Sequence, residues 1–466
     1  MPAKDYEVVV VGAGPGGYVA AIRSAQLGMK TAIIERDDRL GGTCLLRGCI
    51  PTKAMLHAAD LMTEIGRAKS SGIKVGGAEV DFAGVMKSKD AAVTKNSKGV
   101  EFLMKKNKID VLRGHARLVG ETKLEIEGEK GKQEISASKG IILAMGSRPR
   151  SIPAFEVDGK HIVNSNHMLQ LKEIPRRLAV LGAGAVGVEF ASIFSRFSSE
   201  VTLIEMLPRI VPLEDEEVSE ELTKSFKKQG MKVRANTTLE SAKLEGNALK
   251  LGLVEGEKKD SIEVDILLVA VGRAPNSENC GLKEAGVELE KGYVKVDEFM
   301  RTNLQGVYAI GDLVFTPQFA HTASAEGIVA AETIAQVETR PLNYDKTPGC
   351  TYCHPEVASV GLSEAEAKSR GYEVAVGKFP WAASGKARIL GENSGFVKIV
   401  RETRYDEILG IHIIGPHATD LIGEACALLG LEATNEELTR IVHPHPTLTE
   451  AMMEAGHVAA GHAIGM

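Results

Sequence analysis

No run of about 18 consecutive apolar residues occurs in the 466-residue chain, which excludes a membrane-spanning helix. The stretch Met1 to Val11 lacks the basic segment, apolar core and small-residue cleavage site of a secretory signal and runs almost at once into a strand, so the expectation is cytoplasmic residence. Cysteine is scarce. Six are too few for a disulfide framework, and in a reducing compartment closely spaced pairs point instead to catalysis, redox chemistry or metal binding. Cys280 and Cys426 stand alone and read as small buried hydrophobes. Neither sign of charge dominates. The 56 Lys and Arg are interspersed with 62 Asp and Glu for a formal net charge of −6, which offers no nucleic-acid surface. Low-complexity linkers are missing too, and no lipoyl-type or metal-binding domain is expected ahead of the first strand.

Glycine, by contrast, is plentiful, with 49 residues. Glu7 to Val11 reads as a buried strand, followed by Gly12-Ala13-Gly14-Pro15-Gly16-Gly17, a helix to about Gly28, and a second strand from Lys30 that ends in Glu35. The same pattern returns at Arg177 to Leu181, Gly182-Ala183-Gly184-Ala185-Val186-Gly187, a helix, and Val201 to Ile204 ending in Glu205, with the same interval from first glycine to acid. In each unit the first glycine permits the tight turn, the second admits a pyrophosphate, and the third lets helix and strand pack closely. The acid can accept both hydroxyls of an adenosine ribose. One such turn is weak evidence; two, each framed by strands and an acid, predict two dinucleotide-binding folds. Glu205 repels a 2′-phosphate, so NAD is favoured over NADP, although Arg209 lies close in sequence.

Between the first unit and the next helix lies Gly41-Gly42-Thr43-Cys44-Leu45-Leu46-Arg47-Gly48-Cys49-Ile50-Pro51-Thr52-Lys53. On a regular helix, cysteines five apart have Cα atoms roughly 8–9 Å apart, beyond the ~7 Å limit for a disulfide. Gly48 would permit the distortion that brings them together, and a bond closing so small a loop is readily reduced. A redox pair is favoured over a structural or accidental one. The other chemically loaded stretch is Val442-His443-Pro444-His445-Pro446-Thr447-Leu448-Thr449-Glu450, which by itself suits a metal site, an exposed loop or an acid/base. Cys350-Thr351-Tyr352-Cys353-His354 matches the haem attachment pattern, but that needs export; a second thiol pair or two inert core cysteines is the expectation.

The cysteine stretch after a flavin-type glycine turn resembles the class I pyridine nucleotide–disulfide oxidoreductases, and the resemblance runs over essentially the whole chain. Ala144-Met145-Gly146-Ser147 and Val271-Gly272-Arg273-Ala274-Pro275-Asn276 are similar to the family's domain crossings, and Val307-Tyr308-Ala309-Ile310-Gly311-Asp312 to its second flavin motif. The resemblance implies an α/β chain with two Rossmann-like domains, for FAD and NAD, and a C-terminal α/β dimerisation domain. The implied bounds are 1–148 for FAD, 149–275 for NAD, 276–345 for a segment completing the FAD site, and 346–466 for the interface. It implies cofactor contacts at Gly12, Gly14, Gly17, Glu35, Gly42, Thr43, Ala116, Gly146 and Asp312 and at Phe319, Ala320 and His321. It places Lys53 beside the flavin with Glu189 as its ion-pair partner, and NAD at Gly182, Gly184, Gly187, Glu205 and Gly272. Cys44 and Cys49 become the redox disulfide, His445 the acid/base, Glu450 its orienting partner and His443 a residue behind it. No resident metal is implied.

Within the family the chain most resembles the branch that oxidises dihydrolipoyl groups. That implies a homodimer, each histidine serving its neighbour's disulfide. The implied partners are lipoylated proteins of 2-oxo acid dehydrogenase complexes or the glycine cleavage system. Leu45-Leu46-Arg47 departs from the family's commonest residues between the cysteines, and Arg47 is expected either to stabilise a thiolate or to face solvent. The nearest rival is an NADPH-dependent disulfide reductase of the glutathione type, against which Glu205 argues. A mercuric reductase would end in a cysteine pair, whereas this chain ends Ala463-Ile464-Gly465-Met466. A flavin-bearing scaffold without turnover would not need Cys44, Cys49, His445 and Glu450 together.

Overall fold

The structure, a computed structural model, describes residues 4–129 and 131–465. It forms two compact units, each assembled from separated stretches of chain. The first comprises the chain to Ala54, Gly84–Arg150 and Arg273–Tyr344; the second comprises Met55–Ala83, Ser151–Gly272 and the chain from Asp345.

In the first unit the strand Lys4–Val11 lies at the centre of a seven-stranded sheet. Val8, Val9 and Val10 are fully buried, as expected of a parallel strand covered on both faces and therefore lacking polar alternation. Its parallel neighbours are Thr31–Glu35 and Gly131–Leu143, and Asp110–Arg113 extends one side. Lys123–Gly128 and His115–Gly120 continue the other side as antiparallel strands. Val307–Ala309 returns from far along the chain to pair in parallel with Gly131–Leu143. The helix Pro15–Gln26 makes the first crossover, with proline in its first turn, where a missing amide hydrogen costs nothing. It meets the helix Ala320–Ala335 through small residues: a Cβ on Gly16 would lie 2.8 Å from the Ala323 carbonyl oxygen, and one on Gly327 2.6 Å from that of Gly16.

The second unit repeats the parallel plan in five strands, ordered Lys232–Arg234, Glu200–Ile204, Arg177–Leu181, Ile266–Val269, Ile162–Val163. A three-stranded antiparallel sheet, Thr237–Glu245, Ala248–Glu255 and Lys258–Val264, packs beside it through Leu239, Leu249, Leu251 and Leu253. The helix Glu216–Lys228 is capped by the Asp215 carboxylate accepting from the Glu217 amide. The C-terminal part is a five-stranded antiparallel sheet, Gly349–Thr351, Glu356–Gly361, Ile408–Gly415, Phe396–Glu402 and Val374–Pro380. Ala418–Gly430 and Glu450–Ala459 pack on it around the fully buried Trp381, whose indole donates to the Ile414 carbonyl at 2.8 Å.

Met55–Ala83, which lies within the expected 1–148, clusters with the second unit. Its side chains show why: Arg67 pairs with Glu392, Asp60 pairs with Arg196, and Phe82 packs 6.3 Å from both Phe194 and Phe197. None of the helices among the described residues is long and apolar enough to cross a membrane.

Candidate active site and dinucleotide turns

The two glycine turns are built alike. At Gly12, with φ of +101°, a Cβ would lie 2.4 Å from the Ala144 carbonyl oxygen; at Gly17 it would lie 1.8 Å from that of Gly12. At Gly182 and Gly187 the corresponding distances are 2.5 Å, to the Ala270 oxygen, and 1.9 Å, to the Gly182 oxygen. The protein's own backbone demands these four glycines. The middle glycines are different. A Cβ on Gly14 would find its nearest neighbour at 3.9 Å, and one on Gly184 would meet nothing within 4 Å. Their φ angles of −71° and −75° suit any residue. What these positions keep clear is room at a helix N-terminus, where amides and dipole favour a pyrophosphate. The residues present therefore fit two dinucleotides.

The acids match as closely. Glu35 accepts from the Ala13 amide at 2.8 Å and the Asp37 amide at 2.9 Å; Glu205 accepts from Ala183 at 2.8 Å and Leu207 at 2.9 Å. Each carboxylate is thus pinned at its strand end with lone pairs left for ribose hydroxyls. Burial pushes the Glu35 carboxyl up, against the pull of the Ala13 and Arg36 amides. Arg209, close in sequence, lies 3.6 Å from Glu216 and donates to the Pro212 carbonyl at 3.4 Å.

The cysteine stretch leans on the first turn. The Gly41 amide donates to the Ala13 carbonyl at 2.9 Å, and a Cβ on Gly42 would stand 2.6 Å from the Gly14 Cα. Thr43 and Cys44 follow in the short helix Gly42–Arg47, which breaks at Gly48 (φ −143°, ψ −110°) before a new helix, Cys49–Arg67, begins. That break brings the two sulfurs together. In this dithiol form the Cys44 and Cys49 side chains are hydrogen-bonded, and the bond to Cys49, with burial, drives the Cys44 thiol far up. Lys53 stands one helical turn beyond Cys49, and its charge pulls Cys44 in the opposite direction. Arg47, partly exposed, forms an ion pair with Asp37, two residues past Glu35.

Three distant motifs converge on Asp312. Ser147–Pro149 and Arg273–Pro275 form a two-stranded ladder, and Arg273 donates to the Ser147 hydroxyl at 2.6 Å and its carbonyl at 2.8 Å. The Ser147 hydroxyl donates to Asp312, and Arg273 lies 3.5 Å from the same carboxylate. Gly146 precedes them with φ of +65°. Sequence reasoning missed Glu326, whose fully buried carboxylate accepts from the Gly311 amide at 2.6 Å and the Tyr344 hydroxyl at 3.0 Å, fixing the turn that carries Asp312. A lone acid inside the apolar run Ala323 to Ala331 was the available signal. Phe319 caps the helix that begins at Ala320, its ring stacked on His321 at 5.1 Å. Ala116 packs in the core of the sheet's antiparallel extension.

In the second unit Glu189 is buried and accepts from the Tyr352 amide at 3.0 Å. Gly272, with φ of +104°, closes the stretch that began at Ser151. His445 Nδ1 meets Glu450 Oε1 at 2.8 Å, and the other carboxylate oxygen accepts from the Thr447 amide at 2.7 Å. Burial raises the Glu450 carboxyl, but the Thr447 amide and His445 together outweigh it and leave it below the ordinary range. The His445 side chain is 78% exposed. Cys353 is buried, its thiol donates to the Pro355 carbonyl at 3.1 Å, and burial pushes it up, which leaves it inert. Among the described residues no group of three or more His, Cys, Asp or Glu is arranged to hold a metal ion.

Residues 6–327 match the family model described as pyridine nucleotide-disulphide oxidoreductase, and residues 347–456 match the dimerisation domain of the same family. The dihydrolipoyl dehydrogenase of Bacillus subtilis is 42% identical over 99% of both chains, and the mitochondrial one of Pisum sativum 42% over 97% of this chain and 91% of its own. A leghemoglobin reductase of Vigna unguiculata is 43% identical over 97% of this chain and 87% of its own. Among solved structures, LpdA of Mycobacterium tuberculosis superimposes with a TM-score of 0.90 at 24% identity, covering 97% of this chain and 98% of its own, a likeness of fold. The chain belongs to the pyridine nucleotide-disulphide oxidoreductases.

Proposed function

We propose that the protein is a dihydrolipoyl dehydrogenase, oxidising protein-bound dihydrolipoamide at a Cys44–Cys49 disulfide, with FAD at the first glycine turn and NAD at the second. The observation that carries this reading is the hydrogen-bonded pair Cys44 and Cys49, folded against the first glycine turn. FAD, when bound, takes two electrons from the dithiol and yields hydride to NAD. Everything else is done by the chain. His445, oriented by Glu450, removes a proton from one substrate thiol, and the thiolate attacks the Cys44 sulfur. The Cys44–Cys49 bond breaks and Cys49 leaves as thiolate. The second substrate thiol then displaces Cys44, closing the substrate disulfide, and the enzyme keeps both electrons as a dithiol. Lys53, and Glu189 as its proposed partner, would line the flavin. Glu205 supports NAD over NADP.

His445 is largely exposed and Val442 beside it is 92% exposed, so the base and its apolar flank need a covering surface. A second copy, whose disulfide His445 serves, is the reading this supports, through the dimerisation domain. Lipoylated carriers of 2-oxo acid dehydrogenase complexes or of glycine cleavage are the proposed partners, in the cytoplasm. Anaerobic turnover of the holoenzyme tests the assignment. Dihydrolipoamide oxidation with NAD and not NADP is expected; activity confined to NADPH and glutathione disulfide would overturn substrate and cofactor choice alike.

A further inference from the structure

The loop from Ile441 to Thr449 is held twice by the same chemistry, once in the open and once under cover. His445 and Glu450 form the exposed pair. Two residues earlier, His443 Nε2 meets Glu424 Oε1 at 2.7 Å, and the His443 side chain is only 4% exposed. Its other ring nitrogen, Nδ1, lies 3.0 Å from the Ile441 carbonyl oxygen. The ring is thus held at both nitrogens, by the loop's own backbone on one side and by Glu424 on the other.

Glu424 belongs to the helix Ala418–Gly430, whose Leu421, Ile422, Ala425 and Leu428 enter the same core as Leu448 and Met452. The pair is thus a strut from a packed helix to the loop, independent of the Thr447 and Glu450 contacts at its other end. On the intervening helix Asn435–Arg440, Glu436 and Arg440 pair with each other at the surface.

We propose that Glu424 is a positioning residue for the dithiol chemistry: paired with the covered His443, it fixes the loop that presents His445. The inference rests on the reading of His445 as the base.

The test uses the dimeric holoenzyme and the variants Glu424→Ala and Glu424→Gln, the second keeping a hydrogen-bond partner for His443. Glu424→Ala should lower kcat for dihydrolipoamide oxidation at least ~10-fold, while NADH oxidation by ferricyanide, which takes electrons from the flavin without the dithiol step, keeps its wild-type rate. Glu424→Gln should restore most of the loss. Equal loss of both activities in Glu424→Ala, or loss of neither, would overturn the proposal. Should Glu424→Ala fail to fold, His443→Ala, which breaks the same strut from its other end, is read in the same way. A wild type inactive toward dihydrolipoamide would sink the functional reading itself, an outcome distinct from a loss confined to the variant.

Discussion

Single residues divide into those the fold needs and those only a ligand needs, and the glycine turns make the division testable. A side chain at Gly187 would strike backbone within 2 Å, whereas one at Gly184 meets no protein atom within 4 Å. Gly184→Ala should therefore leave the melting temperature within about a degree of wild type, while raising KM for NAD at least ~10-fold by crowding the pyrophosphate. FAD retention should not change. Thermal unfolding and steady-state kinetics check this; an unchanged KM would remove the ligand from that turn. Gly187→Ala should instead fail to give stable protein. Much at this scale was legible in sequence, because most of the turn chemistry is local: Gly17, Glu35 and their counterparts Gly187 and Glu205 act within one strand–turn–helix unit, whereas the Ala144 and Ala270 carbonyls that Gly12 and Gly182 must clear come from far along the chain. Arg47 was not, since its partner Asp37 is chosen by how the helix Gly42–Arg47 packs, and nothing in the spacing of the cysteines reveals that.

Elements are joined by contacts that no local pattern announces. Lys398, 2% exposed on the strand Phe396–Glu402, meets Asp215 at 2.9 Å, Glu217 at 2.9 Å and Glu364 at 3.0 Å. Within the second unit this cation ties the nucleotide-binding sheet's helix to the C-terminal sheet. Burial alone would lower the lysine, but the three carboxylates raise it overall. Lys398→Met leaves those acids facing each other, and should cost about 3–5 kcal/mol at neutral pH, read as a lowered unfolding midpoint. Glu217 and Glu364 lie below the ordinary carboxylate range, Glu217 despite desolvation and Glu364 through its bonds to Lys368 and Lys398. Groups depressed in this way contribute stability above the ordinary range and lose it as pH falls through it. The gap between wild type and Lys398→Met should accordingly narrow in acid, and a constant gap would contradict the account. The strands and helices themselves were readable from apolar runs and caps. Their joints at Lys398, Glu326 and Glu424 were not, because each pairs residues distant in sequence.

At the scale of the whole molecule, the central claim is that a cysteine pair from one copy and a histidine from another make one working centre. The motifs for both halves, and their place in different domains, were legible in the sequence through the family resemblance; the exposure of His445 became evident only in three dimensions. The most direct test is subunit complementation. Cys44→Ser and His445→Gln should each abolish dithiol turnover as homodimers. Co-assembled in equal amounts, half of the dimers are mixed, and each mixed dimer carries one intact centre and one doubly defective one, so about one quarter of wild-type activity should return. No recovery in a mixture verified to contain mixed dimers would contradict the shared centre and place base and disulfide in the same chain.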